Sequence, residues 1–331
     1  PHDSPTHSTL DASIPLCWML SPMSPKRDFL TLRDLTPDEH FGLFRRAKVL
    51  KESRANHRDV RTMAGRTLVL IFEKPSTRTR LSFEAAMLQL GGTCIDLAAT
   101  NSQMSRGEPL ADTARVTGRY CDVVMMRTFG DDRINEFAAH CKVPVINGLT
   151  DGGHPVQILA DLFTIEERLG SVHGKTIAFV GDTGSNMGRS FVEGAGLLGY
   201  QLRLASPKGY LPTEDVLRLS SDSVIVTSDA REAVKDADVV VTDVWTSMGQ
   251  EAESTKRLHD LSSYQVNAQL MSLAAKHAIF LHCLPAHRGE EVTADVLEGP
   301  QSAVWDEAEN RLHIQKALIE YLVLETEKNL P

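Results

Sequence analysis

Between positions 76 and 80 the chain reads Ser76-Thr77-Arg78-Thr79-Arg80, three hydroxyls and two guanidinium groups in consecutive residues. An apolar, β-branched run (Thr67-Leu68-Val69-Leu70-Ile71-Phe72) precedes them, and the helix-like Leu81-Ser82-Phe83-Glu84-Ala85-Ala86-Met87 follows. The donors therefore fall where a buried strand hands over to the first turn of a helix. That turn has free backbone N–H groups and the positive end of the helix dipole, which together attract a phosphate. Arginine adds a planar fork that grips phosphate through two hydrogen bonds. The competing reading is a capped helix whose arginines form surface ion pairs, although five donors exceed what a cap needs.

Chemistry-bearing residues recur at other strand ends. Arg127 closes the run Val123-Val124-Met125-Met126, where a core strand holds a charge only with a partner; Asp131, Asp132 and Glu136 are candidates for an ordinary salt bridge. His154, with Pro155 and Gln157, begins a helix after Asp151-Gly152-Gly153, and is equally readable as a structural histidine. Gly181-Asp182-Thr183-Gly184-Ser185-Asn186 follows another strand, but its glycines lack the G-x-G-x-x-G spacing of a dinucleotide site, and the chain has no P-loop. Asp243 ends Asp238-Val239-Val240-Val241-Thr242 and leads into Thr246-Ser247-Met248-Gly249; it can clamp an amino group or cap its own loop. Cys283 lies between His282 and Leu284, and adjacent strand residues face opposite ways, so a lining thiol is favoured over a nucleophile with a positioned base.

The elements that must position these groups read as an α/β protein. Strand-like runs at 66–72, 93–97, 122–126, 143–146, 175–180, 201–205, 224–227, 238–242 and 278–282 alternate with helical stretches. The helices are expected near 36–52, 80–90, 108–119, 132–140, 155–169, 187–198, 213–219, 231–236, 266–276 and 308–325. Such alternation predicts mainly parallel sheets flanked by helices. The pattern restarts at His173-Gly174-Lys175, which puts a domain boundary near 168–174 and divides the chain into 28–170 and 171–307. Ligands of open α/β sheets bind beyond the carboxyl ends of strands, so polar turns in both halves predict a site in the cleft between two domains.

The 331 residues suffice for two domains. A net charge of −9 argues against a nucleic-acid surface, and no apolar run reaches the ~20 residues of a membrane span. Five cysteines without a C-x-x-C pair predict neither a disulfide framework nor a zinc ribbon, and point to the cytoplasm. Residues 1–27, rich in Ser, Pro, Thr and His, are expected to be disordered or to be an addition upstream of a natural start at Met23.

Phe72-Glu73-Lys74-Pro75-Ser76-Thr77-Arg78-Thr79 resembles the carbamoyl-phosphate loop of the aspartate and ornithine carbamoyltransferases, and the resemblance runs over roughly 28–324. Asp243-Val244-Trp245-Thr246-Ser247-Met248-Gly249 is similar to the ornithine-binding loop of that family. His282-Cys283-Leu284-Pro285 is similar to its substrate-lining strand end, and Glu309-Asn310-Arg311 to the segment that returns an arginine to the carbamoyl group. The resemblance implies that 28–170 binds carbamoyl phosphate, with helix 308–325 packed back on it, and that 171–307 binds ornithine. Carried over by residue, Ser76, Thr77, Arg78 and Thr79 would hold the phosphate. Arg127, His154 and Gln157 would hold the phosphate or carbamoyl oxygen, and Gln103 would reach in from a neighbouring subunit of a homotrimer. Asn186, Asp243, Ser247 and Met248 would bind the amino-acid end, while Cys283, Leu284 and Arg311 line the reacting end. Arg127, His154, Gln157, Cys283 and Arg311 form the implied catalytic set. Two departures stand out: the glycine-rich Asp151-Gly152-Gly153, and Thr183-Gly184-Ser185 where relatives often carry a second Asn.

The reaction so implied is carbamoyl transfer to the δ-amine of L-ornithine, giving L-citrulline and phosphate without metal or organic cofactor. It fits arginine synthesis or citrulline breakdown. A different acceptor (putrescine, an acylated ornithine, aspartate) and a silent phosphate-binding protein on the same scaffold remain as alternatives.

Overall fold

A computed structural model describes residues 26–58, 60–98, 103–246 and 251–328. Two parallel sheets carry the architecture. The first comprises β1 (Thr67–Phe72), β2 (Thr93–Ala98), β3 (Val123–Arg127) and β4 (Val145–Leu149) in the order β2-β1-β3-β4. The second comprises β5 (Thr176–Val180), β6 (Gln201–Ala205), β7 (Val224–Thr227), β8 (Val239–Val241) and β9 (Ile279–Leu281) in the order β7-β6-β5-β8-β9. Each order reverses once, between β1 and β3 and between β5 and β8. Those reversals open crevices at the carboxyl ends of the strands, where α/β proteins bind ligands.

Helices cover both faces. In the first half they are α1 (Pro37–Ala55), α2 (Thr77–Gln89), α3 (Leu110–Thr117), α4 (Asp131–His140) and α5 (Pro155–Leu169). The second half holds α6 (Asn186–Leu198), α7 (Glu214–Leu217), α8 (Ala230–Val234), α9 (Ser254–Leu261), α10 (Ala268–Met271) and α11 (Ala294–Leu297), and α12 (Val304–Lys328) closes the described chain. Strand residues bury alternate faces with period two: Leu68 and Leu70 enter one core while Val69 and Ile71 enter another. In the second sheet Ile177 and Phe179 share the core of Leu68, whereas Ala178 and Val180 face a third cluster. One apolar core thus runs beneath both sheets.

That continuity depends on α5 and α12. Helix α5 is buried along eleven successive residues from Pro155 to Ile165. Helix α12 follows the second sheet in the chain but lies against α1, α2 and α5 of the first half. Its Ile314, Leu318, Ile319 and Leu322 fill the space beside Phe44, Phe83 and Phe163.

The structure departs from the expected elements mainly in the second half. The helix expected over 266–276 shrinks to Ala268–Met271. Backbone groups beyond it are engaged elsewhere: Asp236 N donates to Leu273 O at 2.9 Å and Ala275 N to Ala237 O at 3.0 Å. These bonds turn the chain into β9. Helices α9 and α11 have no counterpart among the expected elements. Conversely, α2 begins three residues earlier than expected because Ser76 is its N-cap, so Thr77, Arg78 and Thr79 form its first turn. No helix of the described residues is long and apolar enough to cross a membrane.

Candidate active site

The site begins at the crevice between β1 and β3. Ser76 Oγ accepts from Thr79 N at 3.4 Å, while the first-turn N–H groups of Thr77 and Arg78 have no acceptor within the helix. Two arginines two residues apart behave differently. Arg80 pairs with Glu84 at 3.1 Å and with Asp96 at 2.6 Å, which is the ordinary surface role. Arg78 is exposed and has no ion pair among the described residues. Thr79 is buried, and its Oγ1 accepts from Arg311 Nη2 at 2.8 Å.

Arg127, at the end of β3, likewise has no ion pair among the described residues, and its Nε is buried without a partner. The nearby Asp131 instead pairs with Arg189 at 3.0 Å. Burial, with Arg311 and then Arg78 close by, brings the Arg127 guanidinium down to about 10. Burial lowers Arg311 as well, and Asp161 and Glu307 only partly oppose that. Arg78, Arg127 and Arg311 are thus close enough to repel one another. Like charges held together in a low-dielectric site attract an anion strongly.

His154 is the N-cap of α5 and is buried. Its backbone N donates to Ser190 Oγ at 2.9 Å, and its buried Nδ1 has no partner among the described residues. Burial, then Arg311 and Arg127, holds its pKa well below the usual histidine range, so the ring is neutral at physiological pH. The glycines before it have a steric reason. A Cβ at Gly152 would run into the Asp131 and Arg189 side chains, the ion pair that joins α4 to α6.

Gln157 is fully engaged within the protein. Its Oε1 accepts from Arg311 Nη1, and its Nε2 donates to Asp161 Oδ1 at 2.8 Å and to Glu307 Oε1 at 3.0 Å. Asp161 and Glu307 are buried and hydrogen-bonded to each other, which requires a shared proton. Burial raises both pKa values. Glu307 Oε2 also accepts from His282 N at 2.8 Å, tying α12 to the end of β9.

The opposite wall comes from the second sheet. Asp243 is buried after β8; its Oδ1 accepts from Val244 N at 2.8 Å and from Cys283 Sγ at 3.1 Å. Burial, followed by Asp243, pushes the Cys283 thiol well above its usual range, so it stays protonated. His282 offers it no base: Nδ1 accepts from Leu284 N at 2.9 Å and Nε2 faces Glu291 at 3.1 Å. Asp243, His282 and Cys283 bring possible metal-ligating atoms within 4.8 Å of one another, yet both nitrogens of the histidine are already occupied. Leu284 has a left-handed backbone with φ 58°, uncommon outside glycine and held by that bond to His282. Asn186 Nδ2 donates to Thr150 O at 3.0 Å, joining the two halves. Gly188 is required because a Cβ there would collide with the Thr183 carbonyl, and a Cβ at Gly184 would meet the Leu211 carbonyl at 2.9 Å. Gln103 is exposed on a short 3₁₀ turn, Gln103–Arg106. Ser247 and Met248 lie outside the described residues.

Sequence reasoning missed two supports. The first is the Asp161–Glu307 pair, whose signal is a polar residue four positions after Gln157 and another four before Arg311, each on the same helix face as the site residue. The second is Arg257, buried on α9, which pairs with Asp182 and donates to the Trp245 carbonyl, fixing the loop after Asp243. Nothing in the local sequence marks it.

Comparison with known proteins matches both halves of the chain. Residues 27–167 match the carbamoyl-P binding domain of aspartate/ornithine carbamoyltransferase, and residues 173–322 match its Asp/Orn binding domain. The chain belongs to the aspartate/ornithine carbamoyltransferase family. Within that family it is 53% identical over 303 residues to the ornithine carbamoyltransferase of Chromobacterium violaceum, covering 91% of this chain and 98% of that one. It is 51% identical over 297 residues to the anabolic ornithine carbamoyltransferase of Pseudomonas aeruginosa, covering 90% and 97%. The solved ornithine carbamoyltransferase from Pyrococcus furiosus superposes with a TM-score of 0.85 at 46% identity, covering 89% of this chain and 96% of that one.

Proposed function

We infer that the chain is an ornithine carbamoyltransferase, moving the carbamoyl group of carbamoyl phosphate to the δ-amine of L-ornithine and releasing L-citrulline and phosphate. The observation that carries the reading is the cluster of Arg78, Arg127 and Arg311, none with an ion pair among the described residues, facing a wall that ends in Asp243 and Cys283. Carbamoyl phosphate supplies the missing anion, and an ammonium suits the carboxylate.

The assignments follow from which groups are free. Arg78 and the N–H groups of Thr77 and Arg78 receive the phosphate, with Ser76 and Thr79 shaping the turn. Arg127 and neutral His154 face the carbamoyl oxygen and stabilise the charge that develops there as the amine attacks. Gln157 holds Arg311 at the reacting end rather than donating its own amide, which is engaged by the acid pair. Cys283 and Leu284 line the pocket. Asp243, with Asn186, Ser247 and Met248, binds the amino-acid end. A free alkylamine has pKa ~10.4, so about 0.1% is neutral at pH 7.4. Neighbouring guanidinium groups favour the neutral amine, which lessens that deficit.

Residues 28–170, completed by α12, form the carbamoyl phosphate domain in this reading, and 171–307 the ornithine domain. A homotrimer, with Gln103 serving a neighbour, is supported by exposed apolar side chains of the first half, Leu81 on α2 and Ile95 on β2, which are 60% and 50% exposed. A cytoplasmic location and an arginine-forming direction complete the proposal, the latter supported by the anabolic relative.

The test is acceptor choice. Wild type is expected to carbamoylate ornithine far better than lysine, whose extra carbon misplaces the amine; an error of about 1 Å can cost ~100-fold. Putrescine, lacking both α-groups, should be poorer still. Asp243→Asn should narrow the ornithine preference about tenfold in kcat/KM while carbamoyl phosphate affinity holds. A wild type that prefers putrescine would refute the acceptor assignment.

A further inference from the structure

A second cationic pocket lies outside the cleft. It is a cavity of about 300 Å³ between the end of α1, the turn that follows it, the end of α2 and the middle of α12. Its lining includes Arg54, His57, Arg58, Arg61, Gln89 and Lys316. A protein of net charge −9 gathers three arginines and a lysine here, and none of the four has an ion pair among the described residues.

The exposed members have an ordinary explanation. Cations near helix C-termini are favoured by the dipole, and α1 and α2 both end at this pocket. Lys316 does not share it. It comes from the middle of α12, is only 3% exposed, and its ammonium has neither a hydrogen bond nor an ion pair among the described residues. Glu320, one turn on, is occupied by Arg46 at 2.6 Å and by Thr62. Burial and the neighbouring Arg54 bring Lys316 down to about 8. A second orphan lines the same space: Gln89 Oε1 is buried without a partner. A buried amide oxygen without a partner is costly, so Gln89 asks for an occupant, and Lys316 lines the same cavity with an ammonium that has no acceptor among the described residues.

We propose that this pocket is a second anion site, taking the phosphoryl group of a small molecule. Phosphoryl oxygens accept from Lys316 and the arginine forks, and a P–OH donates to Gln89 Oε1. A cavity near 300 Å³ falls at the lower end of small-ligand pockets. The site can influence the cleft through two rods. Lys316 lies five residues after Arg311 on α12, about 7.5 Å along the axis, and Gln89 ends the helix that Ser76 begins.

Calorimetric titration of the full-length protein with inorganic pyrophosphate tests this. The background is Arg78→Ala, which weakens the catalytic phosphate turn. One pyrophosphate per chain should still bind, and either Arg58→Ala/Arg61→Ala or Lys316→Met should weaken it at least tenfold. The surface pair decides if Lys316→Met fails to fold. Three results would overturn the proposal: no residual binding, residual binding untouched by the pocket changes, or binding of a single-stranded oligonucleotide in place of pyrophosphate. Light scattering adds a fourth. If Arg58→Ala/Arg61→Ala dissociates an oligomer and leaves the pyrophosphate isotherm unchanged, the pocket is a subunit contact and the proposal falls.

Discussion

The two walls of the cleft are built on opposite electrostatic terms. On the first-sheet side, among the described residues, Arg78 and Arg127 have no carboxylate partner and Arg311 hydrogen-bonds only to the neutral Thr79 and Gln157. On the second-sheet side, Asp243 is satisfied by Val244 N and Cys283 Sγ, while Asp182 holds Arg257. One wall carries unbalanced charge against its own stability; the other is internally paired. An unpaired cluster is poised for a ligand that brings the missing charge. A paired wall selects by shape and by a few exposed acceptors. Under the proposed function, the unpaired wall takes the phosphate and the paired wall selects the amine.

Removing Arg127 should test the contrast most severely. If it meets the developing oxyanion, Arg127→Ala should lower kcat by about 10²–10³-fold, with a smaller change in carbamoyl phosphate affinity. Steady-state kinetics beside calorimetry separates the two, and an unchanged kcat would remove Arg127 from that role. Arg78→Ala should act in reverse, weakening carbamoyl phosphate binding about 10–100-fold, the loss of a charged hydrogen bond worth ~1.5–3 kcal/mol. Equal affinity in a folded variant would reassign the phosphate.

A smaller effect probes the support beneath both walls. Asp161 and Glu307 share a proton in the folded protein, and burial raises both pKa values. A carboxyl group whose folded pKa is raised contributes stability at low pH that is lost as pH rises through the folded value. Wild type should therefore lose Tm on the alkaline side of neutrality. Asp161→Asn donates permanently to Glu307 and still accepts from Gln157, so its Tm should fall less over the same range. Parallel Tm profiles for the two proteins would show that no shared proton matters there. Least of all, Cys283→Ser should cost under tenfold in kcat/KM, because the thiol is protonated and bonded to Asp243. Mass spectrometric capture of a carbamoyl or phosphoryl group on Cys283 would contradict this.

The strands and most of the longer helices are legible in the sequence, since the central strands β1, β3, β5 and β8 are buried on both faces and apolar runs between turn signals mark such strands well. Ser76 through Thr79, Arg127, His154 and Asp243 were legible too, because each stands at the end of such a run. What stayed hidden depends on contacts across the chain. Arg257 reaches Asp182 from 75 positions away, and Glu307 meets Gln157 across 150. Helix propensity misled at 266–276 because Leu273 and Ala275 bond to residues leading into β8. Local pattern carries no trace of such pairings.

Helix α12 also sets an order of events during synthesis. The faces of α1, α2 and α5 that it covers are made first, and they wait uncovered while residues 170–303 are translated. A chain released before Val304 has the phosphate turn but no Arg311 to hold Thr79, and its first core stays open to water. Completion of the last helix thus joins the burial of the earliest core to the assembly of the cleft, so that a prematurely ended chain is both inactive and recognisable to quality control by its exposed apolar face.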